Sequence, residues 1–185
     1  RVYGKMEMDQ RNETINAFRA ANKGAVLVVT DLAARGLDVP EVNYVVHFDY
    51  PSTHKIFVHR SGRTARKGED GHTISLVNHT EVSYMIELCH YVGRKLLSES
   101  NPSDKEVAYY GTLRFGMLSS YDSYVSKTIK EDSELEKLRD TAEKAMQKFK
   151  KCRTPASSFS VKLSKELPIK VSYSHNAGPS KLRAC

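Results

Sequence analysis

Residues 25–29, Ala-Val-Leu-Val-Val, form the longest unbroken apolar run of the 185-residue chain. Such a run is far shorter than the about 20 residues a membrane helix needs. It is long enough for one strand. A turn precedes it (Asn22-Lys23-Gly24) and a polar residue follows, so it reads as a strand buried on both faces, as in a parallel sheet. A second run of this kind covers residues 42–48, and a third strand is expected over 72–77, after a turn at 67–71. Val2-Tyr3 reads as the end of an earlier strand, closed by Gly4. Around these runs the apolar residues take up helical spacing. Ile15, Phe18 and Ala21 fall within 8–21, Ile56, Phe57 and Val58 within 54–64, and Met85, Ile86, Leu88 and Leu96 within 82–97. The alternation predicts an α/β fold, a parallel sheet flanked by helices. Ligands of such sheets collect at the carboxyl ends of the strands. The loop at 30–40, which leaves the 25–29 run, is therefore the expected ligand side.

After residue 97 the character changes. Residues 98–130 read as a linker and an irregular extension rich in Tyr, Ser and Gly. Residues 131–151 carry the clearest helical pattern, with Leu135, Leu138, Ala142, Ala145, Met146 and Phe149 on one stripe. Ser133 and Glu136 fit a capping box, and the stripe is expected to dock on a core. Residues 152–185 form a basic, partly irregular tail. The domain reading is thus 1–97, an irregular stretch 98–130, a docking helix 131–151 and a tail 152–185. The charge follows this division. The whole net charge is +7; residues 1–93 hold 11 basic and 11 acidic residues, whereas 151–185 hold seven basic residues against Glu166 alone. Such an arm suits a polyanion, above all nucleic acid. The three cysteines, Cys89, Cys152 and Cys185, form no CxxC. That pattern argues against a disulfide framework or a zinc site and fits a reducing compartment. The start at Arg1, without a methionine, reads as a piece of something larger.

Two segments carry chemistry. The first is TDLAARGLD, residues 30–38; the second is HRSGRTAR, residues 59–66. Arg63 and Arg66, three apart at a helix end, can grip an oxyanion with two guanidinium forks. His59 lies about one turn earlier on a similar face, and Gly62 permits close backbone approach. Arg35 and Gly36 bring a charge and bare backbone to the end of a strand, where Asp38 can accept from sugar hydroxyls. A sugar reader beside a phosphate clamp points to a nucleoside triphosphate. No G-x-x-x-x-G-K-[ST] occurs to cradle its phosphates, and no acid cluster follows an apolar strand to hold magnesium. The economical reading is that this chain lends arginine fingers to a site whose other wall lies elsewhere.

Together these segments resemble motifs five and six of the DEAD-box RNA helicases of helicase superfamily two. Residues 4–11 (GKMEMDQR) resemble the helix upstream, with Arg11 at the arginine of a Q-x-x-R and Met8 where the family has Gln. Ala65 stands where motif six commonly has Gly. The resemblance implies a second RecA-like domain over residues 1–97, with its opening strands absent. It implies ATP as substrate, with Mg2+ held by a missing first RecA-like domain. Arg63 and Arg66 would contact the γ-phosphate, Asp38 the ribose, and Gly36 would lie beside the nucleotide. Arg35, His59 and Arg60 would couple the two domains, and Thr30 and Arg11 would lie near the RNA backbone. The RNA would be a single strand or a short duplex. The isolated chain is expected to be inactive, lacking the phosphate loop and the DEAD motif.

The helix at 131–151 and the following KCRTPAS (151–157) resemble a nucleolar subgroup that assembles the large ribosomal subunit. That resemblance implies a nuclear or nucleolar location and pre-ribosomal protein partners, with no membrane. Two other readings stand beside it: a DNA-directed translocase of the same superfamily, and a non-catalytic RNA- or protein-binding module.

Overall fold

The computed structural model describes residues 1–21, 24–34, 41–65, 68–98, 107–111, 116, 118–167 and 182–184. It is a mixed α/β structure with parallel strand pairing. The chain divides into two compact units, Arg1–Val46 with Lys55–Ile74, and His47–His54 with Ser75–Cys185. This division follows other lines than the breaks in composition.

In the first unit, α1 (Met8–Arg19) lays Ile15 against Val2, with Met6 and Leu27 packed around them. The unit continues through α2 (Asp31–Ala34) and α3 (His54–Ser61), and through the first residues of strand β1 (Tyr44–His47) and of strand β2 (His72–Asn78). The run at 25–29 is not the doubly buried strand its composition predicts. Its only pairing among the described residues is a parallel bridge from Val29 to Val2. Val26 is 91% and Val28 65% exposed. Apolar content marks what a strand would bury, but burial needs covering layers, and the described residues place only α1 on one side. The 42–48 run behaves alike: it shortens to β1, with Tyr44 and Val46 exposed and only His47 buried.

The second unit has the better core. Val77 of β2 is fully buried, and a 3-10 turn (His79–Glu81) leads into α4 (Val82–Tyr91). Val82, Met85, Ile86, Leu88 and Cys89 of α4 are all buried, each worth about 1.5–3 kcal/mol for the large aliphatic side chains. The helix expected over 82–97 stops short. Gly93 takes φ +71, the left-handed conformation that ends helices, and Arg94 N–H closes on the Cys89 carbonyl at 2.9 Å. Leu96 therefore sits not on α4 but in β3 (Lys95–Leu97), which pairs parallel with β4 (Val107–Tyr109).

The stretch 98–130 is less irregular than its composition, since α5 (Ser119–Glu131) is a regular helix packed on α6 (Ser133–Cys152). The cap of α6 is Asp132 rather than Ser133. Asp132 accepts from the N–H groups of Glu134 and Leu135, and as an acid it also suits the helix dipole. Nor is the stripe of α6 a buried docking face: none of its residues is fully buried, and Leu138 is 54% exposed.

The tail is also more ordered than expected. Residues 158–166 form α7 (Ser158–Glu166), capped by Ser157 and packed on α4, with Ser160 at 2% exposure. A last strand, β5 (Leu182–Ala184), pairs antiparallel with β2 to give the order β1-β2-β5. Arg153 fastens the joint between α6 and α7. Its guanidinium lies 3.6 Å over the Tyr84 ring, donates to Glu81 at 3.2 Å and to the Pro51 carbonyl at 2.8 Å, and its side chain is 6% exposed.

Candidate nucleotide-phosphate site

The site is built in the first unit from the end of α3 and the start of α2. At the end of α3 the helix tightens. Arg63 N–H donates to the Arg60 carbonyl and Thr64 N–H to that of Ser61, a 3-10-type closure. The turn that follows is pinned to residues 42–43. Val42 N–H reaches the Arg63 carbonyl at 3.1 Å, and the buried Thr64 hydroxyl donates to the Asn43 carbonyl at 3.1 Å. Asn43 accepts again from His72 N–H at 2.9 Å, and the Tyr44 and His72 rings stack at 5.1 Å. Ala65 then takes φ +55, the only non-glycine among the described residues with positive φ. This gives a physical reason for glycine as the common residue of that motif position. Gly71 closes against the same turn: a Cβ there would overlap the Thr64 hydroxyl and the Ala65 amide.

The two motif segments meet through one ion pair. Arg60 Nε donates to Asp31 Oδ1 at 2.7 Å and Nη2 to Oδ2 at 2.6 Å, a two-pronged fork on a carboxylate. Asp31 opens α2, where a negative charge also suits the N-terminal amides. It lies one residue after Thr30, whose amide donates to the Val2 carbonyl at 3.3 Å. The third segment joins from α1. Arg11 Nη2 donates to the Gly4 carbonyl, and a Cβ on Gly4 would come within 2.6 Å of Leu32 Cδ2. Residues 4–11, 30–32 and 60–65 are thus held in one compact unit.

Of the expected site residues, Arg11, Thr30, His59, Arg60 and Arg63 are described; Arg35, Gly36, Asp38 and Arg66 lie outside the described residues. Arg60 is turned onto Asp31, and Arg11 onto the Gly4 turn. His59 is exposed. Arg63 is half-buried, and its Nε is buried without a hydrogen-bond partner among the described residues. The guanidinium of such a residue can grip an anionic ligand such as a phosphoryl group through its terminal N–H groups. Among the described residues no cluster of three or more His, Cys, Asp or Glu could hold a metal ion. Asp31 was not legible in advance. Nothing local marks an acid whose partner lies 29 residues on.

The Helicase conserved C-terminal domain family matches residues 1–68, the span that holds all of these segments. ATP-dependent RNA helicase DBP10 of the fungus Gibberella zeae is 39% identical over 169 residues, 90% of this chain and 19% of that protein. The chain belongs to the DEAD-box helicase family. ATP-dependent RNA helicase ddx54 of Dictyostelium discoideum is 38% identical over 84% of this DEAD-box segment and 15% of its own length. The segment thus spans about a fifth of the length of the curated relatives it matches. Among solved structures, the E. coli DEAD-box protein SrmB bound to regulator of ribonuclease activity A is 41% identical, over 50% of this chain and 51% of that one, with a TM-score of 0.41. A yeast DEAD-box splicing factor is 36% identical over 49% of this chain and 20% of that one, with a TM-score of 0.45.

Proposed function

We propose that this chain is the C-terminal lobe of an ATP-dependent RNA helicase and supplies arginine fingers to an ATP site completed by a first RecA-like domain. Arg63 and Arg66 reach the γ-phosphate, Asp38 reads the ribose, and Gly36 lets the backbone approach the nucleotide. The first domain holds the phosphates and Mg2+. Closure of the two lobes brings the guanidinium charge to the phosphoryl group as water attacks it, and such fingers are worth about 10³–10⁵ in rate. Arg35 and His59 couple the lobes, and Thr30 and Arg11 sit beside the RNA backbone. Arg60 acts through Asp31: it fixes the segment leading to Asp38 against the helix end that carries Arg63.

The observation that carries this reading is the half-buried Arg63 at the end of α3, its Nε without a hydrogen-bond partner among the described residues, within the span that the Helicase conserved C-terminal domain matches. In the full-length protein, Arg63→Ala and Arg66→Ala should each lower RNA-stimulated ATP turnover by about 10³-fold or more, while nucleotide-free RNA binding persists. Near-normal turnover in both variants removes the finger assignment.

The substrate reading is RNA, single strand or short duplex. The DNA-directed translocase and the non-catalytic module find less support, since the matched relatives are named ATP-dependent RNA helicases. The likeness of residues 131–157 to the nucleolar subgroup supports assembly of the large ribosomal subunit as the setting, with the nucleolus as location and pre-ribosomal proteins as partners. A tagged full-length protein that stays out of the nucleolus and off pre-ribosomal particles would remove that setting.

A further inference from the structure

Along α6 four acids stand against six basic residues, and the helix geometry groups them. The carboxylates gather on one cation. Arg139 Nη2 lies 2.9 Å from Asp140 Oδ1 and 3.5 Å from Glu136 Oε1. The hydrogen bond that Arg139 donates to Asp140, and then the charges of Asp140, Glu136 and Glu143, raise the Arg139 pKa. Glu134, the remaining acid, sits in the first turn beside the cap.

Four of the five lysines share one face of the helix. Lys137, Lys144, Lys148 and Lys151 all lie in α6 and are all exposed. At about 100° per residue they fall within an arc of about 60°, and at about 1.5 Å per residue they span about 21 Å. No carboxylate pairs with any of them among the described residues. Ser133 and Thr141 lie beside them; the carboxylates of Asp140 and Glu134 border the arc, Asp140 turned to Arg139 and Glu134 in the first turn beside the cap, with Gln147 further round. The apolar stripe of Leu135, Leu138, Ala142, Met146 and Phe149 lies on the opposite side. The helix is also held at its end, because Phe149 and Tyr84 flank the Arg153 guanidinium and Glu81 pairs with it.

We infer that this lysine stripe is a track for the sugar–phosphate backbone of RNA, apart from the Arg63 site. A row of mobile ammonium groups flanked by hydroxyl and amide side chains is the chemistry that binds phosphate without reading bases. An acidic protein partner suits it less. Protein interfaces centre on buried aromatic or aliphatic anchors and are depleted in lysine, and this face offers no such anchor. The proposal rests on the helicase reading only for the identity of the polyanion.

The test is a full-length protein in which Lys137, Lys144, Lys148 and Lys151 are all changed to Gln, which keeps helix propensity. Binding of an oligouridylate is titrated by fluorescence anisotropy without nucleotide across about 50–200 mM salt. The expected result is a weakening of about tenfold or more, with the slope of log K against log salt shallower by about 2–3. Circular dichroism should show unchanged helix content and melting. Unchanged affinity and slope overturn the proposal. So does a polyglutamate peptide that binds the unmutated protein more tightly than the oligouridylate and loses that binding in the variant, which would make the stripe a protein site. RNA-stimulated ATP turnover of the unmutated protein is measured separately. Its absence removes the helicase reading, whereas a lysine-dependent salt slope still supports the track.

Discussion

At the scale of single residues, three side chains carry separate expectations. Ala65 holds φ +55, a conformation that costs a residue with a Cβ about 1–2 kcal/mol. Glycine removes that strain but gains freedom in the unfolded chain, which returns about 0.4–1 kcal/mol. Ala65→Gly should therefore stabilise by about 0.5–1 kcal/mol, read as a higher denaturant midpoint at an unchanged m-value; a lower midpoint would contradict the strain. Asp31 and Arg60 are partly exposed, at 39% and 24% of their side chains, so solvent screens the pair. A double-mutant cycle of Asp31→Asn and Arg60→Gln should give a coupling of about 1 kcal/mol. The two single variants should lower kcat for ATP more than they raise KM if the pair positions Arg63. Cys89 is the third. Burial, opposed by the nearby Arg94 charge, pushes its thiol pKa up from 9.0 to about 11. At pH 8 this leaves about 100-fold less thiolate than an ordinary thiol has. An alkylating reagent should thus label the exposed Cys152 and spare Cys89 until the protein unfolds. The sign with pH follows: the stabilisation tied to the neutral thiol is whole below pH 9 and is lost as pH rises towards about 11.

At the scale of elements, the sequence is a good guide wherever one segment determines its own state, and a poor one where a neighbour decides. α1 and the helix from 133 onward show in their periodicity and end signals. The end of α4 is set by Gly93, a local signal that the run of apolar residues through Leu96 and Leu97 obscures. α5 hides behind Tyr and Ser, which form helices only moderately well. Its apolar members Tyr121, Tyr124 and Val125 do recur at helical spacing, but they remain at least half exposed. α7 exists because Ser157 caps it and α4 receives it, and neither condition is visible in a basic, serine-rich tail. Arg153 makes that case sharply. In the sequence it is one of seven basic residues in the last 35; in the structure it is nearly buried between an aromatic face and a carboxylate. Arg153→Ala strands Glu81 and empties the face of Tyr84, a loss of about 2–4 kcal/mol. Arg153→Lys should recover little, because an ammonium neither stacks nor donates along two arms. Limited proteolysis should then cut near residues 153–157 in both variants well before the rest of the second unit; cleavage at the unmutated rate would show that the extension is held elsewhere.

At the scale of the whole molecule, the proposed chemistry is divided between this chain and a first RecA-like domain. The motif segments could be read as a candidate site because their residue types and spacing suit one kind of ligand, a nucleoside triphosphate. How the described parts of those segments are held together, Arg60 on Asp31 and Arg11 on the Gly4 turn, was not, because those bonds join positions that only folding brings close. Guanidinium groups stabilise charge that develops on a phosphoryl group, but they neither cradle the nucleotide nor bind its magnesium. The 185 residues contain no phosphate loop to do so. The polypeptide of these residues alone should therefore bind RNA weakly through its basic surface and show no RNA-stimulated ATP hydrolysis above the uncatalysed background. Adding the first RecA-like domain as a separate polypeptide should raise turnover in proportion to the concentration of the complex, and Arg63→Ala in this chain should abolish that gain. Robust turnover by the 185 residues alone would mean that the phosphates are cradled by residues within this chain, and the shared-site reading would fail.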